Sequence, residues 1–255
     1  MGAEPTLEQW AGLIECSIGA CPGCIVDRVV VLAETSSTQD AALRAFDGLN
    51  GVAVIAQKQT GGRGQRGNRW DDGDGDTLAI SFAMRADGLD PLRLAAAGGL
   101  AAMDATHGAC PERTALLVKW PNDVVARSAD GDRKLAGVLI EIRDGTAIIG
   151  IGINTRARAW DGLGGVSIEE LGGETDRVML ACALIGRLSR WMVADDREIR
   201  ETWRSRDAMV GTQRVFVTNR ERVDGEVVGV DPLGSIRVRT DTGERVLDAR
   251  VTRNG

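Results

Sequence analysis

The sequence predicts an α+β protein in which a mixed β-sheet flanked by helices precedes a small strand-rich domain. Short runs rich in β-branched residues, such as residues 25–32, recur between longer amphipathic stretches through the first two hundred residues. After residue 211 the pattern changes to four or five short strands separated by turn residues, a spacing typical of a small barrel. We therefore expect two domains, residues 1–208 and 212–255.

The first half of the chain predicts three strands and two helices. Residues 25–32, 52–57 and 77–85 are apolar runs of strand length. Ser37 can serve as the N-cap of a helix with apolar residues at helical spacing. An alanine-rich helix is expected over residues 91–107, because Pro91 suits the first turn of a helix.

The second half of the main domain begins with a strand that must stop at Pro121, since proline cannot donate to a sheet. Residues 134–155 predict a β-hairpin with Asp144 and Gly145 at the turn. Residues 175–193 and 195–208 predict two amphipathic helices.

The composition excludes several classes of protein. The chain has 255 residues, of which 43% are hydrophobic and 27% charged, and its net charge is −6. This charge argues against general attraction to nucleic acid or to an anionic membrane. No apolar run reaches the roughly 18 residues that span a bilayer. The N-terminus carries acids and no basic segment, so it is not a secretory signal, and we expect a cytoplasmic protein.

Five cysteines leave more than one interpretation open. Cys16, Cys21 and Cys24 have the spacing of three ligands of a plant-type iron–sulfur cluster, and the CPGC segment also fits a redox pair or half of a zinc site. An odd cysteine count in a long chain argues against a disulfide scaffold. The single histidine, His107, is expected at a helix C-terminus, facing the last carbonyl groups of the helix, and not as a catalyst. Ordinary reduced thiols are therefore favoured.

The segment GGRGQRGNRW at residues 61–70 is the most informative one for function. Its glycines have the spacing of a dinucleotide-binding fingerprint, but a strand follows them where that fingerprint requires a helix. No Gly-Lys-Ser/Thr follows, so the loop is not a P-loop either. Glycines with three arginines and a tryptophan suit an anionic ligand with a flat ring; the alternative is a solvated basic loop. We expect residues 61–75 to be weakly ordered without ligand.

The scarcity and the positions of the lysines support a binding site. Only three of the 31 basic residues are lysines, and Lys119 and Lys134 stand in the polar-apolar strings KWPND and RKLAG. An ammonium is a compact charge that a guanidinium cannot replace at a tight phosphate or carboxylate contact. We therefore regard these two lysines as candidate functional residues.

The segments QTGGRGQRGNRW, KWPND, RKLAG and GIGIN, in this order, resemble the biotin protein ligases, and the resemblance covers residue 30 to the C-terminus. It implies a catalytic core like that of class II aminoacyl-tRNA synthetases and a C-terminal SH3-like barrel. It also implies that biotin reacts with ATP and Mg²⁺ to give biotinyl-5′-AMP. The biotinyl group then passes to a lysine of a carrier domain of a biotin-dependent carboxylase.

The resemblance assigns roles to particular residues. Lys134, Arg63 and Arg66 are the expected catalytic residues, and Asp123 the expected metal ligand. Biotin is expected to contact Ser37, Thr38, Gln39, Gln59, Gly62, Arg63, Gly64, Gln65 and Lys134. ATP is expected to contact Arg66, Arg69, Trp70, Asn122 and Asn154.

Two departures from the family pattern carry further expectations. The family loop often reads GRGRRGR, whereas this chain has Gln65 and Asn68 at two basic positions, which predicts weaker retention of the adenylate. Members that repress transcription carry a winged helix before the core, and here the first core strand starts near residue 25. We expect no DNA or membrane partner, and a monomer or weak homodimer. The alternatives are the activity of a lipoate or octanoate ligase or transferase, and a non-enzymatic ligand-binding module of the same fold.

Overall fold

The computed structural model describes residues 6–159, 164–218 and 221–254, without the side chains of Arg66, Arg253 and Asn254. The helices are α1 Leu7–Gly19, α2 Thr38–Ala45, α3 Pro91–His107, α4 Arg177–Val193 and α5 Asp196–Ser205. The strands are β1 Arg28–Thr35, β2 Val52–Gln59, β3 Thr77–Arg85, β4 Leu116–Lys119, β5 Asp123–Ser128, β6 Gly131–Arg143, β7 Thr146–Asn154, β8 Gln213–Val217, β9 Arg222–Asp231, β10 Ser235–Thr240, β11 Gly243–Asp248 and β12 Arg253–Asn254.

Seven strands form one mixed sheet in the order β1-β2-β3-β7-β6-β5-β4. Only β1 and β2 pair in parallel, and the other neighbours are antiparallel. Helix α3 packs against β6 and α4. Gly98 of α3 allows this close approach, because a Cβ there would lie 2.9 Å from the Val138 side chain. Helix α2 packs on β2, β3 and β7, where a second small apolar cluster forms with Val52 and Val54.

Most of the predicted elements of this sheet are confirmed. The helix over residues 91–107 is α3, with its N-cap Asp90 accepting from the amide groups of Leu92 and Arg93. The predicted hairpin is β6–β7, and Asp144 and Gly145 adopt positive φ angles of 48° and 74° at its turn. The last helix of this domain was predicted over residues 195–208, whereas α5 ends at Ser205.

Helix α1 and strand β5 were not predicted from the sequence. The sequence does contain a signal for α1: Thr6 and Gln9 form a reciprocal capping box, and Trp10 and Ile14 are buried one turn apart. Strand β5 has only three apolar residues between polar ends, too short a run to predict a strand by itself, although it pairs with its sequence neighbours β4 and β6.

The C-terminal strands form a separate antiparallel sheet in the order β11-β10-β9-β8-β12. Among the described residues no pairing joins β11 to β12, so the sheet is not closed by strand pairing into the barrel we expected. The domain boundary at 208–212 stays a prediction. Residues just before it hydrogen-bond to β4, through Val118 N–H to Arg206 and Ala208 N–H to Val118.

The cysteines in the structure are free thiols. Cys21 and Cys24 flank a tight turn in which the Cys24 amide donates to the Cys21 carbonyl at 3.1 Å. No cluster of three or more His, Cys, Asp or Glu side chains suited to a metal occurs in the described part of the chain. His107 is exposed at the last turn of α3, as expected. None of the described helices is long and apolar enough to cross a membrane.

Candidate active site

A cavity of about 550 Å³ lies on the face of the main sheet that carries α2. The pairing places the end of β2, the start of β3 and the end of β7 at one end of the sheet, since Ala56 pairs with Ala79 and Thr77 with Asn154. The loop between β2 and β3 extends from this end. Thirteen of the fifteen predicted site residues line the cavity: Ser37, Thr38, Gln39, Gln59, Arg63, Gly64, Gln65, Arg69, Trp70, Asn122, Asp123, Lys134 and Asn154.

Two predicted residues do not appear among the lining residues. Gly62 is buried beneath the loop, where a Cβ would lie 2.5 Å from both Gln59 Nε2 and the Trp70 carbonyl oxygen. It therefore has a packing role. The side chain of Arg66 lies outside the described atoms. Its role stays a prediction.

Small residues on neighbouring strands create the space above the sheet. Ser81 pairs with Gly150 and Ala79 with Gly152 between β3 and β7, and Gly137 of β6 pairs with Gly152. Paired residues share a face of the sheet, and this is the face that α2 covers. The alternation in GIGIN thus directs Ile151 and Ile153 into the core and leaves glycines under the cavity.

The closed end of the cavity is polar and buried. Gln59 Oε1 accepts hydrogen bonds from Thr38 N–H at 2.8 Å and from the Thr38 hydroxyl, whose oxygen is 3.0 Å away. The Thr38 oxygen also lies 2.8 Å from the Ser81 oxygen. Gln39 donates to the Leu139 carbonyl at 3.1 Å. Hydroxyl groups can donate or accept, so this end can bind a small neutral group that has both donors and acceptors.

Lys134 places an ammonium group at the open end of the cavity. Its Nζ lies 2.7 Å from Asp123 Oδ1 and 5.7 Å from the centroid of the Trp70 ring. The backbone of Lys134 is fixed on both sides, because its N–H donates to Gly164 and its carbonyl accepts from Val166 N–H and Asn154 Nδ2. The strand therefore presents this ammonium at a fixed position.

Asn122 and Asn154 hold strands together at the cavity wall. Asn122 Nδ2 donates to the Val138 carbonyl, and Asn154 Nδ2 donates to Lys134 and to Val166 at 3.0 Å. Both side chains are buried. Lys119, the other candidate lysine, lies on β4 but does not line the cavity. Its burial, followed by the charge of Arg214, lowers the pKa of Lys119.

The loop from Gly61 to Asp76 is folded in the structure. Gly64 N–H donates to the Asn68 carbonyl at 2.7 Å and Trp70 N–H to the Gly62 carbonyl at 3.0 Å, so the loop begins and ends as a short ladder. The Trp70 ring packs on Gly152, where a Cβ would lie 2.4 Å from ring carbons. This ring is therefore one anchor of the loop on the sheet.

The acidic residues after Trp70 anchor the loop instead of loosening it. Asp72 is buried and accepts from Gln59 N–H at 2.6 Å and from the Thr77 hydroxyl. Burial raises the pKa of Asp72. Asp71 pairs with Arg158, and Asp74 pairs with Lys58. These contacts tie Asp71, Asp72 and Asp74 to neighbouring segments, and weak order of residues 61–75 without ligand stays a prediction.

Arg63 faces two carboxylates rather than standing free in the cavity. Its guanidinium binds Asp40 through both oxygens, at 2.7 and 2.9 Å, and Glu141 at 3.2 Å. Hydrogen bonds from Arg63, opposed by partial burial, hold the pKa of the Asp40 carboxyl below its ordinary value. The expected catalytic arginine is therefore paired with protein acids in this structure.

Comparison with known proteins shows the family. A model of the biotin/lipoate A/B protein ligase family matches residues 31–155. A biotin–[acetyl-CoA-carboxylase] ligase from Paracoccus denitrificans is 30% identical over 238 residues, which cover 86% of this chain and 97% of that protein. The chain belongs to the biotin protein ligase family. A second ligase of the same name, from Mycobacterium tuberculosis, is 32% identical over 234 residues, with 85% and 84% coverage.

A solved structure confirms the fold of this biotin protein ligase. The biotin protein ligase from Aquifex aeolicus, in complex with biotin and ATP, matches with a TM-score of 0.76 and 24% identity. The match covers 89% of this chain and 99% of that one. The predicted mixed sheet flanked by helices is therefore confirmed.

Sequence reasoning missed several side chains at the cavity of this ligase. Ser81 and Arg158 both line it, and Asp40 and Glu141 bind Arg63 beside it. Ser81 lies in an apolar strand where a hydroxyl could have been noticed, because a polar residue on a buried face requires a partner. Asp40 and Glu141 bind Arg63, which is 23 and 78 residues away, and Arg158 binds Asp71, which is 87 residues away. These contacts gave no local signal.

Proposed function

We propose that this biotin protein ligase uses the cavity to join biotin to ATP and then transfers the biotinyl group to a lysine of a carrier domain. The observation that carries the proposal is the polarity of the cavity. It has neutral hydrogen-bonding groups at its closed end and the Lys134 ammonium at its open end, separated by small residues of the sheet. Biotin has the matching order of groups: a neutral ureido ring, a thioether ring with an alkyl chain, and a carboxylate.

Two group transfers account for the reaction. In the first, a biotin carboxylate oxygen attacks the α-phosphorus of ATP, the bond to the β-phosphate oxygen breaks, and pyrophosphate leaves. In the second, the neutral amine of the carrier lysine attacks the acyl carbon, AMP leaves with the bonding electrons, and the amine loses a proton. Neither transfer needs a nucleophile from the enzyme. The main requirements are to place two anions together and to stabilise the added charge.

Different side chains of the cavity can meet these two requirements. Thr38, Gln59 and Ser81 can hydrogen-bond the ureido ring, and Lys134 can neutralise the carboxylate and the α-phosphate. Trp70 offers a ring beside Lys134 for the adenine or for the chain of biotin. The loop covers the open end, which protects a mixed anhydride from water.

Mg²⁺ is proposed to bind at Asp123. The fit is partial, because one carboxylate is available there and Lys134 already pairs with it. Mg²⁺ is commonly held by one or two carboxylates together with substrate phosphates and water, so Asp123 can serve as the protein ligand once ATP supplies oxygens. The ion would screen the charge of the triphosphate.

The name of the similar ligases indicates an acetyl-CoA carboxylase carrier as the acceptor. We propose that the acceptor is its biotin carboxyl carrier protein or domain. A cytoplasmic location and a monomer or weak homodimer are also proposals.

Biotin-dependent exchange of labelled pyrophosphate into ATP tests the proposed activity. We expect exchange with biotin and at least about 10²-fold less with lipoate or octanoate, because buried groups that pair with the ureido ring would lose their partners. The control omits the acid. Equal exchange with lipoate or octanoate would assign the chain to the alternative activity.

We also predict that the protein does not bind DNA specifically, with or without biotin. The net charge of −6 argues against general attraction to nucleic acid. A mobility-shift assay at about 150 mM salt with competitor DNA measures this, since non-specific binding weakens steeply with salt. A shift that survives those conditions would refute the prediction.

A further inference from the structure

Four charged side chains form an alternating cluster beside the cavity, which we call the Asp40 cluster: Asp40, Arg63, Glu141 and Arg143. Arg63 contacts both carboxylates, at 2.7 and 3.2 Å. Arg143 contacts the same two carboxylates, at 3.0 and 2.7 Å. Two positive and two negative charges thus close a ring of ion pairs.

Three members of the cluster belong to the rigid body of the domain. Asp40 is in the first turn of α2, two residues after Thr38 at the closed end of the cavity. Glu141 and Arg143 lie on β6, on the face that carries Leu139 and Gly137. Arg63 is the one member on the glycine loop. The cluster therefore joins the loop to the helix that forms the biotin end of the cavity.

Arg63 is well placed to fix the whole loop. It forms an isolated antiparallel bridge with Arg69, on the other side of the loop tip. The hydrogen bonds from Gly64 to Asn68 and from Trp70 to Gly62 lie next to this bridge. Holding the Arg63 side chain therefore holds both strands of the loop, and Trp70 with them.

The charges argue against a direct role of Arg63 at a substrate anion. If Arg63 turned toward the substrate, Asp40 and Glu141 would share Arg143 alone. The bidentate contact with Asp40 is a geometry that arginine favours. All four side chains are 21–37% exposed, so the cluster is partly shielded from water. Lys134 remains beside the open end, and Arg69 and Arg158 also line the cavity.

We propose that Asp40 and Glu141 are positioning residues that hold Arg63, and through it the glycine loop, closed over biotin. This inference rests on the proposed function. Arg63 then acts by tethering the loop, and the charge of the reacting anions is neutralised by Lys134. Without the tether, the loop must become ordered when biotin binds, and the free-energy cost of that ordering weakens binding. The same cost applies to the bound ground state and to the transition state, so the chemical step stays largely intact.

The test compares Asp40→Asn, Arg63→Ala and the double variant in the exchange assay. We expect each single variant to raise KM for biotin about tenfold, the lower end of the range for one charge-assisted contact, and to change kcat less than about twofold. Arg63→Ala removes the contacts with both carboxylates, whereas Asp40→Asn leaves the contact with Glu141. The double variant should therefore match Arg63→Ala. Asp40→Glu keeps the carboxylate and should restore most of the affinity.

A second readout does not depend on ligase activity. Trypsin cleaves after Arg66 and Arg69 at the loop tip, and Asp40→Asn should speed cleavage at these two sites about tenfold without lowering the melting temperature. Asp87→Asn is the matched control, because Asp87 pairs with Arg85 in an exposed turn away from the cavity. It should behave as wild type.

The two readouts separate failure of this inference from failure of the proposed function. If wild type shows no biotin-dependent exchange, the proposed function fails and the proteolysis still tests the tether. Unchanged cleavage and unchanged KM in Asp40→Asn would overturn the inference. A fall in kcat of tenfold or more in Arg63→Ala but not in Asp40→Asn would also overturn it, since Arg63 would then act on the reacting anions directly.

Discussion

Lys134→Ala is expected to lower biotin-dependent ATP–pyrophosphate exchange by about 10²–10³ while the protein stays folded, the usual loss for one preorganised group at a charged transition state. The ammonium lies at the open end of the cavity on a residue whose backbone is held by Gly164, Val166 and Asn154. Water cannot replace it without reorganising as the charge develops. Because the side chain is 37% exposed, its removal leaves little empty core volume, and thermal melting should change little.

Two further variants make the Lys134 experiment specific. Removing Lys134 also leaves Asp123 unpaired beside the phosphates, so part of the loss could come from repulsion. The double variant Lys134→Ala with Asp123→Asn removes that repulsion. Asp123 is also the proposed Mg²⁺ ligand, so the double variant is compared with Asp123→Asn alone, and we expect it to stay at least about 10²-fold below that single variant. Lys58→Ala is the matched control, since Lys58 forms an exposed pair with Asp74. Exchange by Lys134→Ala within threefold of wild type would refute the role of Lys134.

The sequence was sufficient for the parts of this site whose signals are local. Thr38, Gln59, Trp70 and Lys134 stand in short motifs, and the structure brings them to one cavity. The hairpin that carries Lys134 is readable because Asp-Gly turns and alternating apolar residues are both local features. Motif order therefore predicted which side chains meet, although it could not predict their contacts.

Non-local pairing accounts for what was missed. Asp40 was only a first-turn acid of a predicted helix, and its partners Arg63 and Arg143 are 23 and 103 residues away. Asp72 stood in an acidic, glycine-rich run that is typical of solvated loops. Its burial depends on Gln59 and Thr77, which meet it only after β2 and β3 pair. Charged residues of this kind show their role only in the folded chain.

Gly152→Ala is expected to lower exchange by on the order of 10², because small displacements of positioning groups have effects of this size. A Cβ at position 152 would lie 2.4 Å from carbons of the Trp70 ring, a distance that forces the ring to move. Trp70 belongs to the loop, so the ring can swing away and take the loop with it. The sheet beneath keeps its pairing with Gly137 and Ala79. The melting temperature should therefore change little while the exchange activity falls.

The cause of the Gly152→Ala defect can be isolated with Trp70. If the methyl group acts only by displacing the ring, Trp70→Ala alone and the double variant Trp70→Ala with Gly152→Ala should have equal activity, since interacting positions are non-additive. Gly186→Ala in α4 is the matched control, because a Cβ there meets no atom within 4 Å. A Gly152→Ala protein with wild-type exchange would mean that the ring position over β7 is not the catalytic one. An additive double variant would mean instead that the methyl group obstructs the cavity itself.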